Sequence, residues 1–305
     1  MNYIRHALGD ERERRIKILT LEDLKMLNKE AEENEKNKQR KGSPYTPTVK
    51  PAPIIKTLED YVILEGISCY DGQGNVVEHY DRLAVARDMV RKQVIGNDGA
   101  TKLVHAAFRL YDAILNFEQQ GNGLFLPSFA LTCNIISCLY DQRSNPEIKA
   151  VLDQYNNYGP GYGWHVQNTL VNWENSTIIH YPNDSDFTRN GGAAEVNKSS
   201  QRTALKFNKE NIANIELEHA LAVPNYKEYI QNFTGLKEPE ILIYIGKYFN
   251  KTAKVWISSQ NFIRSTWIGC NSDGDFNLCA GSDLYSTGGA RRVRKNFSIG
   301  NEGKK

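Results

Sequence analysis

Several things are scarce in this sequence. No apolar run approaches the ~20 residues that a bilayer-spanning helix needs; the longest are short, as in Ile241-Leu242-Ile243-Tyr244-Ile245. No membrane partner is expected. Charge of one sign is also scarce. The formal net charge of the 305 residues is +2, which argues against a heavily basic nucleic-acid binder and against wholesale disorder. The first residues, MNYIRHALGDERERRIKILT, are charged where a secretory signal has its apolar core, so a cytoplasmic protein is expected.

No Cys-x-x-Cys pair occurs. The five cysteines, Cys69, Cys133, Cys138, Cys270 and Cys279, are odd in number, which suits reduced thiols better than a disulfide framework or a zinc site. Asn175, Asn197, Asn232 and Asn250 head N-x-S/T triplets; without a secretory signal these read as accidents of an asparagine-rich composition. The glycine fingerprints that cradle phosphate are missing, and so is a G-x-S-x-G elbow. No motif asks for a cofactor or a metal.

What is present divides the chain in two. Residues 1–55 read as a charged, partly disordered tail. They hold one helix opening at Thr20-Leu21-Glu22-Asp23 and a linker in which Pro44, Pro47, Pro51 and Pro53 forbid helix. Its basic clusters are interleaved with Glu11, Glu13, Glu32, Glu33 and Glu35, which cancel most of their field. Residues 56–305 read as a single α+β domain.

In that domain Tyr61–Tyr70 predicts a strand, Asp71–Asn75 a turn, and a second short strand follows. A stripe of Leu83, Ala86, Val90 and Val94 predicts a helix from Asp81. A helix from Thr101 to Phe117, apolar nearly all round, should be the most buried. Ser128 predicts an N-cap for a helix carrying Leu131, Ile135 and Leu139, and Asn145-Pro146 opens another. Residues 166–173 and 176–181 predict a hairpin, and 203–207 an edge strand. Residues 215–223 suit helix or strand, and 224–233 predict a helix. Residues 240–248 and 254–259 predict a hairpin, and 276–280 and 290–294 the last strands. Helices early and strands late give α+β.

Candidate chemistry is sparse. His165, His180 and His219, with Asp184 and Asp186 near His180, lack the i,i+3 or i,i+4 spacing of a helical metal site. Asn271-Ser272-Asp273-Gly274-Asp275 alternates oxygen ligands as a calcium loop does, but Ser282 stands where the bidentate Glu would be, so a hairpin turn is the plainer reading. Aromatic rings gather at Tyr155, Tyr158, Tyr162, Trp164 and Trp173, and again at Trp256, Phe262 and Trp267, as stacking platforms or as core.

Leu126-Pro127-Ser128 before a helix, then Val255-Trp256-Ile257-Ser258-Ser259, then Gly289-Ala290-Arg291-Arg292-Val293-Arg294, resemble the "R-L-P-T" and "W-S-S … G-x-R-x-V-R" elements of C-type-lectin-like modules related to formylglycine-generating enzymes. Phe125 and Leu131 depart from that pattern. Cys270 and Cys279 are nine apart, unlike the close copper-binding pair of the enzyme branch. The resemblance implies a small twisted antiparallel sheet with flanking helices and loops that bind a ligand.

The leading expectation is therefore a non-enzymatic module for an unknown protein or glycan, binding through Tyr162, Trp164, Trp267, Asp273 and Asp275. One alternative is a copper- or thiol-dependent oxidoreductase using Cys270 and Cys279 as a thiol pair. The other is association with nucleic acid through the basic tail and Arg291, Arg292, Arg294 and Lys295.

Overall fold

The computed structural model describes residues 54–55, 60–95, 101–105, 108, 110, 112–114, 117, 123–156, 164–181, 187–190, 193–196, 204–210, 212–257, 263–282, 288–295 and 297–299. Of the tail assigned to residues 1–55 only 54–55 fall among them. The expected helix from Thr20 and the linker prolines lie outside the described residues.

The chain is α+β. Its elements begin with β1 (Ile54–Ile55), β2 (Tyr61–Tyr70), β3 (Val76–Met89), β4 (Arg91–Ile95), β5 (Thr101–His105) and β6 (Leu124–Phe125). Then come α1 (Phe129–Asp141), α2 (Pro146–Asp153), β7 (His165–Asn172), β8 (Thr177–His180), β9 (Phe187–Asn190), β10 (Ala193–Val196), β11 (Leu205–Lys206) and β12 (Ile215–Glu216). The last part holds α3 (Leu217–Leu221), α4 (Pro224–Thr234), α5 (Ile241–Tyr248), β13 (Thr252–Ile257), β14 (Ile263–Cys270), β15 (Asp275–Ser282), β16 (Arg291–Arg294) and β17 (Ser298–Ile299).

Two sheets dominate. One has seven strands in the order β11-β8-β7-β14-β15-β13-β12, and the other has four in the order β2-β3-β16-β6. The larger sheet is mixed, because β13 runs parallel to β15. The four-stranded sheet is small and antiparallel throughout, as expected; the seven-stranded mixed sheet beside it was not expected. The parallel pair arises because β14 does not lie between β13 and β15: β14 pairs on the far side of β15, and β15 returns the chain beside β13.

Helix α1 lies at the centre and packs on β2, β7, α2, α4 and α5. Ser128 is its N-cap: Oγ accepts the Leu131 N–H at 3.0 Å. Leu131, Ile135, Ile136 and Leu139 are fully buried, each contributing roughly 1.5–3 kcal/mol of transfer free energy. Phe129 stacks on Phe233 of α4 at 3.9 Å, and the aromatic run continues through Tyr229 to Phe207 and Trp173. A second, smaller core joins Leu110, Ala113, Ile114 and Phe117 to Val166, Leu170 and Ile179.

Ser128, Asn145 with Pro146, the hairpin of β7 and β8, the edge position of β11, and α4 all follow the sequence expectations. Residues 215–223 resolve as two residues of strand followed by helix. Three other expectations are overturned. The helix expected from Asp81 is the second half of β3, with β4 after it. Leu83-Ala84-Val85-Ala86 are all buried, so both faces of the strand are covered and the alternation that marks a half-exposed strand is absent. The helix expected from Thr101 starts as β5 and is helical only further on, at 110, 112–114 and 117.

The strand expected at 240–248 is α5. Ile241, Leu242 and Ile245 are buried while Tyr244 is exposed, which is helical spacing that a short apolar run conceals. Trp256, offered by the sequence as core or stacking platform, is 44% exposed and so is not core; Ala253 and Val255 on the alternate positions are the buried ones.

Gly235 ends α4 in the left-handed region, at φ +62°, and an added Cβ there would lie 2.6 Å from Ala130 Cβ and 3.2 Å from Cys69 Cβ. Gly235→Ala adds backbone strain to an overpacked contact between α4, α1 and β2. Urea denaturation should show a loss of about 2–4 kcal/mol, whereas a change under 1 kcal/mol would mean that α4 docks more loosely than described.

Candidate functional site

The residues expected to bind a ligand are largely occupied within the fold. Tyr162 lies outside the described residues. Trp164 is half-buried just before β7, and its carbonyl accepts the Gly289 N–H at 2.9 Å. Trp267 is 3% exposed. Its Nε1–H donates to Ser265 Oγ at 3.1 Å, and Gly288 lies so close to the ring that a Cβ there would fall 2.0 Å from it. Trp267 is therefore a core ring and not a stacking platform.

Asp273 sits in the hairpin turn between β14 and β15, and Asp275 opens β15. Asn271 Oδ1 accepts the N–H groups of both at 3.0 and 2.9 Å, and Asp275 pairs with Lys254 at 3.0 Å. This is the expected turn chemistry.

The thiol pair does not face itself across that hairpin. Cys270 stands opposite Phe276 and Cys279 opposite Trp267, and strand alternation sends the two side chains to opposite faces. Burial pushes the Cys270 thiol up to about 12, against the pull of Lys251, so it stays protonated and unreactive. Between them Asn277 is fully buried, with neither side-chain polar atom hydrogen-bonded.

The histidines are separate too. His219 is exposed on α3. His165 is buried and stacks on Tyr155 at 4.4 Å. Asp184 and Asp186 lie outside the described residues. Among the described residues no group of three or more His, Cys, Asp or Glu is placed to hold a metal.

His180 closes a relay. Its Nε2 lies 3.0 Å from the Asn232 carbonyl and its Nδ1 2.8 Å from Thr169 Oγ1. A carbonyl only accepts, so Nε2 carries the proton and Nδ1 accepts from the Thr169 hydroxyl. Thr169 Oγ1 in turn accepts the Phe129 N–H, the first amide of α1, at 2.9 Å. Asn232 Oδ1 accepts the Gly72 N–H at 2.7 Å, and its Nδ2 donates to the Lys206 carbonyl. One neutral imidazole thus joins α1, α4, β7 and β8.

Perturbed groups gather elsewhere, where the sequence offered no motif. On β3, Glu78 and Tyr80 point to the side of Cys69 on β2. The Tyr80 hydroxyl donates to Glu78 Oε1. The Tyr181 hydroxyl and the Cys69 thiol adjoin the same carboxyl. Tyr181 follows β8 at φ +54°, a turn that swings its ring toward Ser128 and the start of α1.

Phe125 of β6 lies between the tyrosines, 5.9 Å from the Tyr80 ring and 6.0 Å from that of Tyr181. Burial pushes the Glu78 carboxyl up, while Tyr80, Tyr181, Lys295 and Cys69 pull it down. Burial and then the nearby Glu78 push up both the Tyr80 and Tyr181 phenols and the Cys69 thiol. All three remain protonated donors around one acceptor. Glu78, Tyr80, Phe125 and Tyr181 are each half-buried, so one wall of the cluster meets solvent. Period-two spacing of Glu78 and Tyr80 was the available signal; the partners come from β6 and the end of β8 and share no local pattern with them.

Two further arrangements are weaker. Ser68 Oγ lies 2.8 Å from His79 Nδ1, and His79 Nε2 lies 3.1 Å from Asp81 Oδ1. This has the composition of a hydrolase triad with the ring nitrogens exchanged. Ser68 and His79 are direct cross-strand partners and the Asp81 side chain is almost wholly exposed. A serine on a regular strand, with its neighbouring amides in the ladder, has no oxyanion donors beside it. A cleft of about 220 Å³ is lined by Glu216, Glu218, Lys247 and Lys251, whose charges balance.

The chain matches no family model, no curated protein and no solved structure.

Burial lowers the His180 pKa from 6.5 to about 4. A depressed folded pKa means that the contribution of His180 is intact above about pH 6.5 and is lost as pH falls toward 4. At pH 5 the loss is about 2 kcal/mol. Urea midpoints of the protein and of His180→Gln, compared between pH 7.5 and 5, should converge as the pH drops. A gap that does not narrow would show that His180 does not resist protonation in the fold.

Proposed function

We propose that the chain is a non-enzymatic ligand- or partner-binding module, and that it binds at the half-buried cluster of Glu78, Tyr80, Phe125 and Tyr181. The observation that carries this reading is the chemistry of the groups around Glu78. They are two phenols and a thiol, all kept protonated by burial. As donors they orient the carboxyl rather than take its proton. The cluster has what recognition needs: a carboxyl fixed in direction, aromatic faces beside it and an open side.

The alternatives find less support. An enzyme built on Cys270 and Cys279 would need the thiols on one face of the hairpin. A nucleic-acid surface at the final strand would need Arg291, which is 3% exposed and donates to the Arg87 carbonyl at 2.9 Å and to Gln154 Oε1 at 2.7 Å. A peptide or glycan remains the partner class that fits.

The C-type-lectin-like ancestry belongs to the same proposal. Its support is the order of pieces: Leu126-Pro127-Ser128 leading into α1, then β13 with Trp256, then β16. The mixed seven-stranded sheet weighs against it. Cytoplasmic residence is proposed on the five free thiols.

The test is binding of the full chain to glycan and peptide arrays, with Glu78→Gln and Tyr181→Phe in parallel. Retention of at least one class, weakened roughly ten-fold or more in Glu78→Gln (on the order of one lost charge-assisted hydrogen bond), is expected. Blank arrays, or equal retention by both variants, would defeat the reading.

A further inference from the structure

The Glu78 cluster already holds a cation belonging to this chain. Lys295 follows β16 directly, and its Nζ lies 5.3 Å from the centre of the Phe125 ring. Its charge is felt at Glu78. The backbone there is pinned, because the Lys295 N–H donates to the Gly123 carbonyl at 3.1 Å. The residue itself is exposed, and no ion pair of Lys295 occurs among the described residues.

The electrostatics of the cluster select for positive charge. Aromatic faces are the negative ends of ring quadrupoles, and Phe125 presents one beside a carboxylate. The Tyr80 ring lies nearly parallel to Phe125, at 19°, and Tyr181 is tilted by 54° against it. An anion would meet an acidic group and the negative faces of the rings; a neutral hydroxyl would compete with Tyr80 for the same carboxyl oxygens. An alkylammonium can meet a carboxyl and a ring face together, whereas Lys295 lies over the ring and pairs with no acid among the described residues. A cation–π contact made by an exposed lysine is weak, so an external ammonium with more contact can replace it.

We propose, building on the binding-module reading, that the Phe125, Tyr80, Tyr181 and Glu78 cluster recognises an organic ammonium ion of the lysine side-chain type, and that Lys295 is its displaceable internal occupant. The ligand end is a primary or alkylated ammonium on a short apolar stem. Its source is either a lysine within a peptide or a free alkylamine. Lys295 acts as an internal competitor, so affinity for the external cation is set partly by how tightly this one side chain stays on the ring.

Calorimetric titration of the full chain tests this with N-acetyl-lysine methylamide, its neutral isostere N-acetyl-norleucine methylamide, and n-butylammonium. Lys295→Met removes the internal occupant and should bind the lysine probe on the order of 5-fold tighter than the unaltered protein. Adding Glu78→Gln should reverse that gain, and the norleucine probe should not bind. A lysine probe tighter than n-butylammonium supports the proposal with a peptide as source; equal affinity supports it with a free amine as source. The proposal is overturned if Lys295→Met binds the lysine probe no better than the unaltered chain, or if norleucine binds equally.

Lys295→Gln, made alongside and checked by thermal melting, separates loss of the cation from loss of fold. An array ligand that depends on Glu78 but is neutral or anionic would defeat the ammonium proposal while leaving the binding module standing. Blank arrays together with no titration signal would defeat both.

Discussion

The close passage of Gly288 and Gly289 between the two sheets is the constraint on which the rest of the molecule depends. Gly289 pairs with His165 at the start of β7, so the last part of the chain first touches the seven-stranded sheet. A few residues on, Arg291, Val293 and Arg294 pair with β3, and Val293 and Arg294 pair with β6. The chain changes sheets with its backbone close against Trp267 and Met89: a Cβ at 288 would fall 2.0 Å from the Trp267 ring and one at 289 would fall 1.7 Å from Met89 Cε. Arg291 then locks the passage. Its guanidinium donates to the carbonyls of Ala86 and Arg87 and to Gln154, and lies 5.1 Å from the Tyr155 ring. A buried cation held at both terminal nitrogens by carbonyls and an amide, with its Nε unpaired, is costly to disturb, because loss of any partner leaves more charge uncompensated in the interior. This passage also carries Lys295 to the Glu78 cluster, one residue beyond the end of β16.

The legible parts of the fold were those whose cause is local. Ser128, Asn145 with Pro146 and the turn at Asn271 act through their own or nearby amides, and those elements formed where expected. The misread parts were those whose cause is distant. Leu83 to Ala86 read as one stripe of a helix because Ala and Leu suit both states. What makes them strand is burial between β2 and β16, and β16 lies some two hundred residues away in sequence. Ile241 to Ile245 failed in the opposite direction: a run with apolar residues on most sides conceals its period, and the pocket left by α1 and β13 decided for helix.

The candidate site was less legible than the fold, for the same reason in stronger form. Trp267, Asp273 and Asp275 stood out because aromatics and acids near glycine are visible in one dimension. The fold employs all three, the ring under Gly288 and the acids in turn and ion pair. Glu78 and Tyr80 looked like an ordinary exposed strand beside Val76 and Val77. Only the positive φ of Tyr181, the return of β6 and the end of β16 make them a cluster, and none of these has a sequence signature that refers to the others. Arg291 shows the reverse error: a basic run at the chain's end suggests a surface, yet its first member is among the most buried polar groups.

The Glu78 cluster is also hard to account for as scaffold alone. Taking a carboxylate out of water costs several kcal/mol before its partners repay any of it. Here the partners are phenols and a thiol, which are weaker than a guanidinium, and a lysine that stays in solvent. An apolar residue at 78, facing Ile67, Phe125 and the rings around them, would bury the same surface without that cost. The His180 relay makes the comparison sharper. It too is polar and its histidine is half-buried, but both ring nitrogens meet a complementary partner and the ring is neutral, so it stabilises without a charge. The fold evidently can build a satisfied, neutral polar network, and it does so one residue before Tyr181. On the other side of the same turn an acid whose pKa burial raises stays half open, which supports the proposal of recognition there.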